Sequence, residues 1–373
     1  MDQAIYQYYL RLIHSKKIPV PVFSRLLREF GSAQELFALS PLRLQNLGFD
    51  DEQIELLQDS RGTTERQRPV DAALEWSSRE HQHLLCFESE HYPNLLREID
   101  SAPPLLFVRG SLDVLNDRFL SVVGSRKASI YGKRNAYWIA REISKAGLHI
   151  SSGLASGIDT RAHEGALDGG GKTIAVVGTG IDRVYPARNE ALVERIVGSG
   201  AMVSEFPLGT PPYPSNFPRR NRIISGMAEG TLVVEGNMRS GSLITARLAM
   251  EQNRDVFALP GPIGSSGSRG CHHLIKQGAK LVEEPGDILE ELGFEARLSE
   301  HESAQSYSGK VGVEVADKRG SSVLKAIEQQ GSLFETILSE CELEMQELNS
   351  ELIKLEAQGI IQQQGGRYFR TPE

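Results

Sequence analysis

The sequence predicts an α/β protein: a Rossmann-like, mostly parallel sheet with helices on both faces, flanked by a small N-terminal helical domain and a C-terminal winged-helix domain. Three observations carry this prediction. From His83 to about Glu291, short β-branched runs alternate with helical patterns, and strands separated by helices imply βαβ crossovers and parallel pairing. Most of those runs end in glycine, at Gly124, Gly153, Gly178 with Gly180, and Gly236. In such sheets the ligand crevice lies outside the carboxyl ends of the strands, where tight turns are needed. Finally, 373 residues with 40% hydrophobic and 24% charged content are ordinary for a globular chain and leave room for two or three domains.

Residues 1–70 read as the helical domain. Short apolar helical patterns are punctuated by Ile18-Pro19-Val20-Pro21, Phe30-Gly31-Ser32 and Leu47-Gly48-Phe49. Ser32 with Glu35 resembles a capping box, and Ser40-Pro41 sets a cap before a proline at the first helical position. Ser60 to Arg68 is polar and reads as a linker. The core, residues 83–295, is expected to hold strands at Phe119–Val123, Leu148–Ser151, Thr173–Val177, Thr231–Glu235 and Val256–Leu259. Residues 296–320, rich in Ser, Gly and charge, read as a second linker. Residues 321–373 show three helical patterns and then two glycine-bounded runs that suggest a two-stranded wing. Acids outnumber the single lysine between Glu340 and Glu356, which disfavours phosphate contact there and points to protein contacts.

Charge is distributed unevenly. The formal net charge is −8, yet Ser121 to Lys172 carries eight Lys or Arg against four Asp or Glu. A second basic feature, Ser215-Asn216-Phe217-Pro218-Arg219-Arg220-Asn221-Arg222, places three arginines, two amides and an aromatic together with no acid. Arginine forks match phosphate geometry, and an aromatic ring can stack on an unpaired base. No apolar run is long enough to span a bilayer, so membrane insertion is not expected. The first ten residues lack the features of a signal peptide. Three well-separated cysteines, Cys86, Cys271 and Cys341, suit reduced thiols and a cytoplasmic location, and Cys271-His272-His273 offers no metal-ligand spacing.

Known ligand fingerprints fit poorly. Gly124-Ser125-Arg126 is not the dinucleotide motif, and Gly178-Thr179-Gly180 has Arg183 where the third glycine belongs. Gly171-Lys172-Thr173 precedes a strand, whereas a phosphate-cradling loop follows one. Asp159 and His163 share a helix face without a nucleophile, as expected of a helix-start acid and a locally packed imidazole. No cofactor, metal or catalytic residue is expected. What remains is a crevice of glycine turns, hydroxyls, amides and arginines, suited to holding phosphates and unpaired bases.

At this point five long strings carry a resemblance: VVGSRKASIYG (Val122 to Gly132), SSGLASGIDTRAH (Ser151 to His163), TIAVVGTGIDRVYPARN (Thr173 to Asn189), SEFPLGTPPYPSNFPRRNRIISG (Ser204 to Gly226) and RSGSLITARLAMEQNRDVFALPG (Arg239 to Gly261). They resemble the DNA-processing protein A family, also called Smf or DprA. The resemblance implies a non-catalytic core that binds single-stranded DNA, protects it, dimerises and loads the RecA recombinase in natural transformation, with single-strand-binding protein as a further partner. It implies an N-terminal domain of sterile-alpha-motif or helix-hairpin-helix type. The DNA-binding positions that follow from motif and residue type are Gly124, Ser125, Arg126, Lys172, Asn216, Phe217, Arg219, Arg220, Asn221, Arg222, Arg239, Ser240, Gly241, Ser242 and Thr245. The alternative is a Rossmann nucleotide-processing enzyme such as a nucleoside-monophosphate phosphoribohydrolase, for which Glu205 and Glu235 are the candidate acids.

Overall fold

The computed structural model describes residues 3–15, 17–58, 64–294, 318–327, 331–341, 343–357 and 360–370. Among them, the chain opens with helices α1 (Gln3–Ser15), α2 (Val20–Phe30), α3 (Ala33–Phe37), α4 (Pro41–Asn46), α5 (Asp51–Gln58) and α6 (Thr64–Ser77). Ser32 and Ser40 each cap a helix, the side chain accepting an N–H three residues on, which at Ser32 is the serine half of the expected capping box. The first expected linker is corrected in part: residues 64–68 open α6, and residues 60–63 lie outside the described residues. Most of the second, 296–320, also lies outside them, and its last three residues begin a helix.

The central body follows as β1 (Gln82–Cys86), α7 (Asn94–Glu98), β2 (Leu105–Gly110), β3 (Phe119–Gly124), α8 (Ile130–Lys145), β4 (His149–Ser152), α9 (Ile158–Asp168), β5 (Thr173–Val176), α10 (Glu190–Ser199), β6 (Ala201–Ser204), α11 (Asn216–Gly226), β7 (Gly230–Glu235), α12 (Gly241–Glu251), β8 (Asp255–Ala258), α13 (Arg269–Lys276), β9 (Lys280–Leu281) and α14 (Pro285–Glu291). Its strands form one nine-stranded sheet in the order β1-β2-β6-β5-β4-β3-β7-β8-β9. Pairing is parallel from β6 to β9, and only β1 with β2 and β2 with β6 run antiparallel. From β3 the chain works outward through β4, β5 and β6, then returns beside β3 as β7. The β3/β7 boundary is therefore the topological switch point at which open α/β sheets bind ligands.

Side-chain alternation along β3 divides the core. Leu120 and Val122 pack with Ile139 and Ile143 of α8, Ile158 and Ala162 of α9 and Ile288 of α14. Phe119 and Val123 belong to a second apolar layer with Ile223 and Ile224 of α11 and Ala246 of α12. That layer continues without a break into Tyr9, Phe23 and Leu27 of the N-terminal helices, so those helices share the core of the sheet. No described helix is long and apolar enough to cross a membrane.

The C-terminal residues form a separate unit. It contains α15 (Lys318–Lys325), β10 (Ser332–Leu333), α16 (Phe334–Glu340), α17 (Met345–Ala357), β11 (Ile361–Gln364) and β12 (Arg367–Arg370). β11 and β12 make a hairpin around Gly365-Gly366, both at positive φ, as a two-residue hairpin turn requires. β10 adds a third strand on the free edge of β12.

Candidate nucleic-acid interface

The turn after β3 is held against β7 by the Ser125 N–H, which donates to the Glu235 carbonyl at 2.8 Å. The amino end of α9 closes on the same turn. Gly157 has φ +88°, and a Cβ there would lie 2.3 Å from the Ser125 carbonyl oxygen, so only glycine permits both the backbone angle and the approach. Helices α8, α9 and α12 all begin at this edge of the sheet, after β3, β4 and β7. Their amino ends favour negative charge at the crevice.

Arg126 is exposed on this turn. Its guanidinium carbon lies 5.0 Å from the centroid of the Phe217 ring, within cation–π range. Phe217 is half-buried, tilted at 40° to Tyr185 with ring centroids 5.9 Å apart, and rests on Gly178, where a Cβ would sit 3.0 Å from the ring. Arg126, Ser156, Thr179, Tyr185, Phe217 and Arg220 are among the residues lining a small cavity of about 80 Å³ at the ends of β4 and β5. Arginines, hydroxyls and π faces thus meet in one pocket.

The three arginines of α11 do different things. Arg219 is exposed, with its guanidinium carbon 5.5 Å from the Phe206 ring centroid. Arg220 is buried, donates to the Val176 carbonyl oxygen and faces Asp159 across Gly153. Burial pulls its pKa down to about 10, against the attraction of Asp159. Arg222 is also buried: it grips both carboxylate oxygens of Glu205 at 2.6 and 2.7 Å and donates through Nε to the Ser101 carbonyl at 2.9 Å. The two amides have internal partners as well, Asn216 donating to the Gly178 carbonyl at 3.0 Å and Asn221 to the Gly241 carbonyl at 3.2 Å. Of the run as a whole, Phe217 and Arg219 face outward, while Asn216, Arg220, Asn221 and Arg222 build the wall beneath them.

At the end of β7, Ser240 and Ser242 share a hydrogen bond of 2.7 Å, and Thr245 donates back to the Gly241 carbonyl at 3.3 Å. Arg239 and Gly241 are exposed beside them, whereas Ser242 and Thr245 are buried. Gly124 and Ser125 are in the turn already described. Lys172 stands apart. It precedes β5 and pairs at 2.7 Å with Asp117, which precedes β3, so both belong to the amino edge of the sheet. The structure does not bring Lys172 together with the crevice residues.

Sequence reasoning missed Tyr185, Ser156 and Thr179 as pocket residues, although each follows an expected strand. Asp159 and His163 behave more specifically than a generic helix start. His163 is fully buried, with Nδ1 2.7 Å from Thr173 Oγ1 and Nε2 2.6 Å from the Gly153 carbonyl, and burial pushes its pKa down to about 4. Burial pushes the Asp159 carboxyl up to about 6, despite the opposing pull of Arg220. Glu205 is clamped by Arg222, which removes it as a free acid.

A family model described as DNA recombination-mediator protein A matches residues 83–293. Protein Smf of Escherichia coli is 50% identical over 228 residues, which is 61% of this chain and 61% of that relative. The match therefore spans less than two thirds of the relative's length. Protein Smf of Synechocystis is 32% identical over 97% of this chain and 98% of its own. Among solved structures, DNA processing protein A from Streptococcus pneumoniae is similar at 37% identity and a TM-score of 0.66, covering 79% of this chain and 99% of that one. DNA processing protein A from Helicobacter pylori, whose structure concerns its mode of binding single-stranded DNA, is similar at 27% identity and a TM-score of 0.52, covering 58% and 97%.

Proposed function

Because this chain belongs to the DNA recombination-mediator protein A family, we propose that its crevice binds single-stranded DNA without chemical change, as a step in DNA recombination. The observation that carries this reading is the Arg126 guanidinium lying over the Phe217 ring in a pocket on the carboxyl edge of the sheet. A cation on an aromatic face beside hydroxyls suits a phosphate and an unpaired base together, and it suits duplex DNA poorly because the stacked bases of a duplex keep their faces covered. Arg219, Arg239 and Lys127 are exposed and extend the positive surface for neighbouring phosphates.

Asn216, Asn221 and Arg222 support the site by fixing the position of Phe217 and Arg219, and Arg220, in the pocket lining, adds positive charge to it. In this assignment the core, residues 83–295, holds DNA in a homodimer in the cytoplasm, protects incoming strands and hands them to RecA in natural transformation. Single-strand-binding protein is a further partner, and residues 321–373, as a winged-helix module with an acidic face, make protein contacts. The test is fluorescence anisotropy with labelled single-stranded and duplex oligonucleotides, joined to mass measurement of the complexes. Strong preference for the single strand at dimeric stoichiometry supports the reading; equal affinity for duplex removes its basis.

A further inference from the structure

Beneath the pocket lies a carboxylate that DNA binding does not obviously need. Asp159 is only 7% exposed, and its Oδ2 accepts the Ala155 N–H at 3.3 Å. Gly153 separates it from Arg220: a Cβ on Gly153 would lie 2.3 Å from Asp159 Oδ2 and 2.8 Å from Arg220 Nη2. Acid and guanidinium, from α9 and α11, thus converge on one glycine. Arg220 is itself 4% exposed and lines the pocket, and its Nε makes no hydrogen bond. Arg126, from the turn after β3, is the second cation that acts on Asp159. On Asp159's own helix, His163 is held by Gly153 and Thr173 and stays neutral above about pH 4. Arg188, from the loop after β5, donates to Ser156 in the pocket lining; the cations that act on the Asp159 carboxylate are Arg220 and Arg126, and both line the pocket.

We propose that Asp159 is the internal counter-charge of this pocket and that binding of single-stranded DNA takes up one proton from solvent onto its carboxylate. The proposal rests on the reading that the pocket binds single-stranded DNA. In the free protein, ionised Asp159 partly neutralises Arg220 and Arg126. A phosphate brought to the same arginines sets a second anion near the carboxylate, and like charges favour the protonated acid. The proton bonds to a carboxylate oxygen, and no other bond changes. Burial already holds Asp159 protonated up to about pH 6, so a modest further rise carries its titration across neutral pH. Linkage requires the reverse effect too: protonation strengthens binding, and affinity rises as pH falls.

The experiment measures binding of the full chain to oligothymidylate, whose bases do not protonate in the range, from about pH 5.5 to about pH 8.5 at constant ionic strength. One linked proton changes Kd by at most about tenfold per pH unit between the free and bound pKa values. The wild type is expected to bind more tightly toward low pH, whereas Asp159→Asn is expected to give a flat profile, with its fold checked by thermal melting. Calorimetry of the wild type near neutral pH, in two buffers of different ionisation enthalpy, is expected to show net uptake of a substantial fraction of one proton per occupied pocket. Parallel pH profiles for wild type and Asp159→Asn, or no proton uptake by the wild type, would overturn the proposal. Should Asp159→Asn fail to fold, the wild-type calorimetry decides alone. Binding that is tight but independent of pH refutes only the role of Asp159; absence of binding at every pH refutes the single-strand reading along with it.

Discussion

Replacing Arg222 by alanine separates the structural arginines from those that face ligand. The Arg222 and Glu205 side chains are 10% and 4% exposed and meet at 2.6 Å, with a second short bond at 2.7 Å. Removing the guanidinium leaves the Glu205 carboxylate buried and unpaired, and it also strips a donor from the Ser101 carbonyl. Breaking a buried ion pair from one side costs about 3–5 kcal/mol, a large part of a total stability of about 5–15 kcal/mol. With a shift of about 2–4 °C per kcal/mol for a large domain, melting of the body that carries the sheet should fall by about 6–20 °C. Differential scanning calorimetry on the full chain measures this. The double variant Arg222→Met with Glu205→Gln should recover most of the loss, since no unpaired charge remains. Arg219→Ala, one turn position away but exposed, should melt within about 0.5 kcal/mol of wild type while binding single-stranded DNA less tightly. If Arg222→Ala is as stable as wild type, or if both variants lose stability equally, the division of the arginines is wrong.

Three further outcomes follow from the same geometry. Arg126→Ala should weaken single-strand binding by about tenfold or more and reduce the salt slope by about 0.7, the value for one lost phosphate contact; an unchanged slope places the phosphate elsewhere. Gly153→Ala should destabilise the fold by about 1–3 kcal/mol through overpacking, because its Cβ would meet Asp159 and Arg220 at 2.3 and 2.8 Å; denaturant titration checks this, and wild-type stability would show that the two groups do not converge there. The third concerns acid. His163 has a folded pKa of about 4, below its unfolded value, so its contribution is lost as pH falls from about 6.5 to about 4. Asp159 has a folded pKa of about 6, above its unfolded value, so its contribution is present at low pH and lost as pH rises toward 6. Between about pH 4 and 6 the two slopes oppose each other. Asp159→Asn should therefore lose about 1.4 kcal/mol per pH unit more than wild type on acidification, and parallel stability profiles contradict this.

The parallel strands were legible because buried strands read as continuous β-branched runs, and β3, β4, β5, β7 and β8 fall where those runs are. β1, β2, β6 and the two-residue β9 were not foreseen, since the edges of the sheet depend on which strands meet. The arginine run was read only as a basic feature, without the helix α11 that it opens or the partition of its side chains. Ile223, Ile224 and Met227 mark the buried face, and stepping back by three and four residues along a helix reaches Asn216 and Arg220. Their burial was thus available from periodicity, while the Glu205 partner of Arg222 was not, because it comes from the end of another strand. Lys172 entered with the motif match, yet its place before a strand already assigned it to the amino edge. Phe217 drew attention as the aromatic among the arginines, but its contact with Arg126 joins residues 91 positions apart, and only the switch in strand order brings them together.

The most direct measurement of the central claim is a salt titration of single-stranded and duplex oligonucleotide binding, performed in parallel on wild type and Arg126→Ala. The wild type should prefer the single strand at every salt concentration and lose affinity steeply as salt rises. Arg126→Ala should lose most of that preference while keeping its melting temperature. Equal single-strand and duplex affinities in the wild type, or an unchanged preference in Arg126→Ala, would contradict the assignment of this crevice to unpaired DNA.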